Sequence, residues 1–238
     1  AMVRELQPGI LVNGRTGLKG DFSTPEGHLA VQDEPWEACM SLNDHWGYHA
    51  GDHHWKEPGD IAEMLRVCSA GCGNLLLNIG PRGDGSIPGA AISCLDRVGA
   101  WIAKNHEALW GTERFVFNPR VRGDGRAEWS SHGLFTASPG AIYWHIRYWA
   151  GSTLVLAGVK CTVTNVSALA TGERYPFVQT GDRLVISGLP EVADTTMPVV
   201  LRLQTKDQPM LYLTGGVREP AVPHCHYDPV EPDIQYGG

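Results

Sequence analysis

Long apolar runs are missing from this chain of 238 residues. None approaches the roughly 18 consecutive apolar residues that a helical bilayer span needs. The opening Ala1-Met2-Val3-Arg4-Glu5-Leu6 has no apolar signal-peptide core. A soluble chain with no membrane partner is expected, with its compartment left open. Cationic residues are scarce too: 19 Lys and Arg face 26 Asp and Glu, for a net charge of −7. Binding a phosphate backbone takes clustered Lys and Arg, so a broad nucleic-acid face is not expected. The six cysteines (Cys39, Cys68, Cys72, Cys94, Cys161 and Cys225) are too dispersed for a disulfide framework, and a chain this long does not need one. Cys68 and Cys72 stand four apart in CSAGC, but zinc sites usually take four ligands at tighter spacing. The plainer reading is buried free thiols, with no metal or cofactor. The 29 glycines and 16 prolines follow no period, which excludes collagen and low-complexity linkers.

What is present divides into two halves. Up to about residue 113, short apolar runs alternate with helical patterns. Gly9-Ile10-Leu11-Val12-Asn13 and Trp36 to Ser41 are strand candidates. Pro58 to Cys68 is an amphipathic helix, since Ile61, Met64, Leu65 and Cys68 fall at i, i+3, i+4 and i+7. Pro58 opens it and Gly71 closes it. Asn74-Leu75-Leu76-Leu77-Asn78-Ile79-Gly80 is a continuous apolar strand, of the kind buried on both faces of a parallel sheet. A helix over Ala90–Lys104 follows, with Ile92, Leu95, Val98 and Ile102 as its apolar stripe and Trp101 beside it. This alternation is α/β grammar. Beyond Thr112 the pattern becomes short strands separated by polar turns: Ala141–Trp149, Thr153–Leu156, Cys161–Thr164, Arg183–Ile186 and Val199–Leu203. An antiparallel sandwich is expected there. The implied limits are 1–113, 114–214, and an extended tail over 215–238.

Three groups of residues could carry chemistry. Arg15 and Glu26 lie beyond the carboxyl end of the first strand, where parallel folds build their sites. A carboxylic acid there can protonate a leaving oxygen if it holds its proton, although most loop glutamates are merely solvated. Asn43 to Trp55 gathers four His, two Asp, two Trp and one Tyr. His45, His49 and His53 share a spacing of four, which suits zinc on a helix. Gly47, Gly51 and the aromatics argue instead for a loop, where rings stack on sugar C–H faces and polar groups bond hydroxyls. Two Arg-Gly-Asp triplets, at 82–84 and 122–124, suggest adhesion or, more plainly, tight turns. Asn165-Val166-Ser167 fits a glycosylation acceptor, relevant only in a secretory pathway.

VNGRTG, GDFSTPE, PWEACMSLNDHWGYHAGD and GCGNLLLNIGPRGDGSIP, followed by the helix to WIAKNHEALWGT, resemble the second half of the catalytic domain of family 29 α-L-fucosidases. The resemblance continues through VSALATGERYPFVQTGDRLVISGLP into the family's small β-sandwich. Where the family's glycine-rich block opens on Gly, this chain has Cys72. The resemblance implies a partial, half TIM-like β/α barrel followed by a small antiparallel β-sandwich. It implies hydrolysis of terminal α-L-fucosides with retention, on oligosaccharides or glycoconjugates carrying L-fucose. By the same resemblance Glu26 is the acid/base, with Glu37 as fallback. Arg15 hydrogen-bonds the sugar, Trp46 packs on the fucose C6 methyl, and His45 and Tyr48 contact substrate.

The family's nucleophilic aspartate and its adjacent histidine pair lie on an earlier strand, ahead of the first residue here. The expectation is therefore a truncated enzyme with an improvised nucleophile. Asp44, with Asp52 beside it in the same loop, is nominated on proximity in sequence. Open strand edges near Ile10–Val12 and Leu75–Leu77 predict a homo-oligomer, since closure is what removes such edges. The alternative is a fragment that binds fucose or glycan without hydrolysis.

Overall fold

The structure, a computed structural model, describes residues 2–32, 34–114, 133–146, 149–194 and 196–211. The chain divides into two units, the first running to Ala103 and the second beginning at Lys104.

The first unit opens with a single helical turn, α1 (Met2–Leu6). Its parallel sheet is β1 (Glu37–Ser41) beside β2 (Asn74–Asn78), in register from Glu37–Asn74 to Ser41–Asn78. The crossover between them is α2 (Pro58–Ala70). The Asp60 carboxylate closes its first turn by accepting from the Glu57 N–H at 3.0 Å. Its last turn ends where the Gly71 N–H reaches back to Val67 O and Cys68 O. Side chains in a strand alternate between faces. Trp36, Ala38 and Met40 therefore turn together toward Cys68 of α2, with Leu75 and Leu77 of β2 packed against them.

The opposite face is open, which corrects the expectation that β2 is buried on both sides. Leu76 is 51% exposed and sits across the register from Cys39. Among the described residues, only one face of the pair carries a helical layer. The strand expected over Gly9–Asn13 is also absent. Val12 spends its N–H on the Asp21 carboxylate (2.8 Å) and its carbonyl on the Asp21 N–H (2.6 Å). A side chain thus takes a bond that a ladder would need, and Asn13 makes only an isolated parallel bridge to Phe22.

The second helix of the unit, α3 (Gly89–Asn105), buries Ala91, Cys94, Val98 and Trp101. Of the expected stripe, Leu95, Val98 and Ile102 turn inward, while Ile92 faces solvent. Ala91, Cys94 and Val98 pack with Leu42 and Ile61 in a second small core.

The second unit is a two-sheet antiparallel arrangement. One sheet has the order β3 (Glu113–Arg114), β4 (Leu134–Ser138), β5 (Ala141–Ile146), β10 (Val199–Thr205), β7 (Val163–Ala168). The other is β6 (Leu154–Leu156), β9 (Arg183–Ile186), β8 (Phe177–Thr180). Their inner faces share one core that includes Phe135, Ile142, Trp144, Leu156, Val166, Leu184, Ile186, Leu201 and Leu203. β5 is buried on both faces because the turn after α3 covers its outer side. There Tyr143 Oη donates to Glu107 Oε1 at 2.5 Å and Thr136 Oγ1 donates to Ala108 O at 2.7 Å.

Of the strand expected over Ala141–Trp149, β5 covers Ala141–Ile146, residues 147–148 lie outside the described residues, and the Trp149 indole donates to Pro190 O. The strand expected to begin at Cys161 begins at Val163. The second Arg-Gly-Asp, at 122–124, and the tail over 215–238 lie outside the described residues.

Candidate active site

Parallel bridges join Asn13 to Phe22, Ser23 to Trp36 and Glu26 to Cys39, and β1 pairs with β2. Four chain segments thus run the same way side by side. Their carboxyl ends release Arg15, Glu26, the loop after β1 and the loop after β2 along one edge.

Arg15 sits in a short 3-10 turn, Gly14–Thr16. Asn13 Oδ1 caps it by accepting from the Arg15 N–H at 3.2 Å, and Gly17 closes it in the left-handed region at φ 78°. Gly20 packs against this turn so closely that a Cβ there would lie 2.5 Å from Asn13 C and Gly14 N. The turn is therefore held against the next segment. The guanidinium reaches across to Glu26 Oε2 at 2.5 Å and Thr24 Oγ1 at 3.1 Å. Two of the sequence-nominated residues are thus in direct contact, and both remain about half exposed.

Asp21, the other carboxylate of DFSTPE, is committed to structure. The Val12 N–H, and then the Arg4 guanidinium at 2.6 and 2.7 Å, hold its carboxyl below the usual range.

The histidine-rich segment is a loop rather than a helix. Asp52 organises it from within. Its Oδ2 accepts from the Asp44 N–H at 3.1 Å and lies 2.7 Å from His45 Nδ1, while Oδ1 accepts from the His54 N–H at 2.9 Å. The His45 hydrogen bond leads the effects that lower the Asp52 pKa. Asp44 is the outward carboxylate, 2.9 Å from His54 Nδ1, and that hydrogen bond raises the His54 pKa. His45 and His49 stack with ring centroids 4.5 Å apart. Among the described residues, no three His, Cys, Asp or Glu side chains gather as a metal site. Cys68 is buried, which pushes its thiol up to about 12, and Cys72 is exposed.

Trp46 and Tyr48 are both exposed on this loop. Asn78, the last residue of β2, donates from Nδ2 to Trp46 O at 2.6 Å. Sequence reasoning did not single out Asn78 or Thr24, and read Arg82 only as part of the first Arg-Gly-Asp. The polar residue closing an otherwise apolar β2 was the available signal for Asn78. Each of the three was legible only as a turn or strand-end residue.

The parallel segments thus carry an arginine–carboxylate pair and an aromatic, histidine-rich loop along one edge. Residues 1–107 match the family model described as Alpha-L-fucosidase. The solved α-L-fucosidase isoenzyme 1 from Paenibacillus thiaminolyticus is 31% identical, with a TM-score of 0.73, and the match covers 87% of this chain and 52% of that one. The Thermotoga maritima α-fucosidase, solved with a mechanism-based inhibitor, is 26% identical, with a TM-score of 0.67 over 86% of this chain and 47% of that one. The mouse tissue α-L-fucosidase is 29% identical over 176 residues, which is 71% of this chain and 37% of that protein. The chain thus spans about half or less of the relatives it matches. No helix among the described residues is long and apolar enough to cross a membrane.

Proposed function

We propose that this chain carries part of a retaining α-L-fucosidase site acting on terminal L-fucose of oligosaccharides or glycoconjugates. The observation that carries the reading is the Arg15–Glu26 pair at the carboxyl edge of the parallel segments. Glu26 is the acid/base. Arg15 offers a fork of donors to sugar hydroxyls. Trp46 gives an apolar face to the C6 methyl, with His45 and Tyr48 contacting substrate beside it. Asp44 is the candidate nucleophile, because it faces solvent while Asp52 is spent inside the loop. Retention requires two carboxyl groups about 5–5.5 Å apart.

In this reading, residues 1–113 form half of a β/α barrel and 114–214 the sandwich domain. A second copy covers the open sheet face around Leu76 and Cys39. Analytical ultracentrifugation tests that part. A monomer at micromolar concentration with undiminished activity refutes it.

A second reading is fucose binding without hydrolysis. It is favoured by the engagement of both nominated carboxylates, Glu26 with Arg15 and Asp44 with His54. Hydrolysis of 4-nitrophenyl α-L-fucoside, compared with a fucoside of poor leaving group, separates the two. Glu26→Gln should reduce turnover of the poor-leaving-group substrate by 100-fold or more, on the order of what proton donation contributes, and should affect the aryl fucoside far less. Equal activity of parent and variant on both substrates removes Glu26 from the role. L-Fucose binding with no turnover by the parent selects the second reading.

A further inference from the structure

The loop after β2 carries a residue that the reading above does not use. Arg82 opens the tight turn of the first Arg-Gly-Asp. Its N–H donates to Ser86 O and its carbonyl accepts from the Gly85 N–H, both at 2.8 Å. Gly85 takes the left-handed conformation at φ 85° that this turn requires. Asp84 Oδ1 accepts from the Ser86 N–H at 2.9 Å.

The arginine does not project as an adhesion triplet would. It folds back, with Nη1 3.3 Å from both Ser86 Oγ and Ile87 O. Its guanidinium carbon lies over the Tyr48 ring, 5.6 Å from the centroid, within cation–π range.

Tyr48 is fixed from the other side as well. The Asn78 amide holds Trp46 O, and the backbone of Gly47 and Tyr48 presses on Gly80. A Cβ at Gly80 would lie 2.8 Å from Gly47 C and Tyr48 N. The loops after β1 and β2 are therefore locked together backbone to backbone. The tyrosine ring they hold is nevertheless 44% exposed. A ring carried on an anchored stretch of backbone, with the Arg82 guanidinium over it but still open to water, is a stacking face largely ordered before any ligand arrives. The guanidinium beside it supplies a planar fork for hydroxyl or carboxylate oxygens.

We propose that Tyr48 and Arg82 form the binding place for the sugar to which fucose is attached, one step outward from the fucose itself. The inference rests on the fucosidase reading of the edge. Trp46 takes the fucose methyl, and Tyr48, two positions along the same loop, stacks on the C–H face of the next sugar. Arg82 holds that ring in plane and donates to the sugar's hydroxyls.

The test is isothermal titration of the full chain with L-fucose and with a fucosylated lactose, reading KM instead where turnover occurs. The parent should bind the fucosylated lactose about 5- to 10-fold more tightly than L-fucose, the gain that one stacked ring contributes. Arg82→Ala should abolish that gain while leaving L-fucose affinity unchanged, and Tyr48→Ala should weaken the fucosylated lactose by a larger factor than L-fucose. Tyr48→Phe should keep it. Arg82→Lys, which retains charge but not the planar fork, should lose it. Circular dichroism checks that each variant folds. A gain that survives Tyr48→Ala and Arg82→Ala overturns the inference. So does a loss of L-fucose affinity by the same factor, which would make both residues supports of the fucose site. A parent that binds neither ligand overturns the reading of the edge, and the inference with it.

Discussion

Gly73 presses its backbone onto the Trp36 indole, so Gly73→Ala is a severe perturbation for one methyl group. A Cβ at position 73 would lie 2.1 Å from Trp36 Cε2, 2.4 Å from Cζ2 and 2.5 Å from Cδ2. Comfortable carbon–carbon contact begins at about 3.5 Å, so the ring must retreat by about 1.4 Å. It has nowhere to go. Trp36 is 2% exposed, is packed with Ala38, Met40 and Cys68, and is tied by its Nε1–H to Gly71 O at 3.0 Å. Overpacking of this kind costs about 1–3 kcal/mol, and loss of the indole hydrogen bond adds about 1. The expected loss is about 3 kcal/mol.

Urea denaturation followed by far-ultraviolet circular dichroism measures it. Gly83→Ala serves as control, because a Cβ there meets nothing within 4 Å. That change should stay within about 0.5 kcal/mol, as for an ordinary surface substitution. Trp36→Phe in the Gly73→Ala background should recover part of the loss, with a coupling above about 1 kcal/mol in the double-mutant cycle. A Gly73→Ala protein within about 1 kcal/mol of the parent refutes the packing argument.

Three further outcomes are expected. Cys72 holds a side chain at φ 51°, a conformation costing roughly 1 kcal/mol without glycine, so Cys72→Gly should be more stable than Cys72→Ala by about 0.5–1 kcal/mol; equal urea midpoints for the two would show no strain there. Trp46→Ala should weaken binding of L-fucose more than binding of the matching sugar without the C6 methyl, and equal losses in titration calorimetry would make Trp46 a packing residue. The imidazole of His54, followed by NMR, should titrate above 6.5, and Asp44→Asn should bring it back down. Because the folded pKa is raised, the His54–Asp44 contribution is fully present below about 6.5 and disappears as pH climbs through the elevated value. Asp52 runs the other way. Its pKa is lowered, so its contribution is present above about 3.8 and disappears as pH falls through the depressed value. An unshifted His54 midpoint removes the first of these two.

Some elements could be read directly because local rules and tertiary context agree. Pro58 and Gly71 bracket α2 in both sequence and structure, since a missing N–H is harmless at a helix start and a flexible residue suits its end. Arg183–Ile186 is a strand in both, for it alternates between core and outer face and follows a Gly-Asp turn. The loop nature of Asn43–Trp55 was legible from its glycines. The nomination of Arg15 and Glu26 came from motifs resembling those of a family, and the structure joins those two side chains across eleven positions of sequence.

Other features follow no local rule. Ile10, Leu11 and Val12 look like a strand by composition, but pairing is decided by the partner, and Asp21 captured the bond that the ladder needed. Ile92 of α3 is exposed while Leu95, Val98 and Ile102 turn inward, because burial depends on which neighbour each residue meets, not on its own hydropathy. Leu76 looks as buried as Leu75 or Leu77 in sequence, yet only one face of β2 is covered. The amino-acid sequence by itself thus determined the limits of α2 and α3 to within a residue or two and the α/β-then-β order, because each rests on local backbone chemistry. Tertiary structure alone decided that Asp52 organises its loop while Asp44 faces outward, that Arg82 lies on Tyr48, and that Trp36 forbids any side chain at Gly73. Each of these depends on segments distant in the chain meeting at contact distance, and no local pattern encodes which will meet.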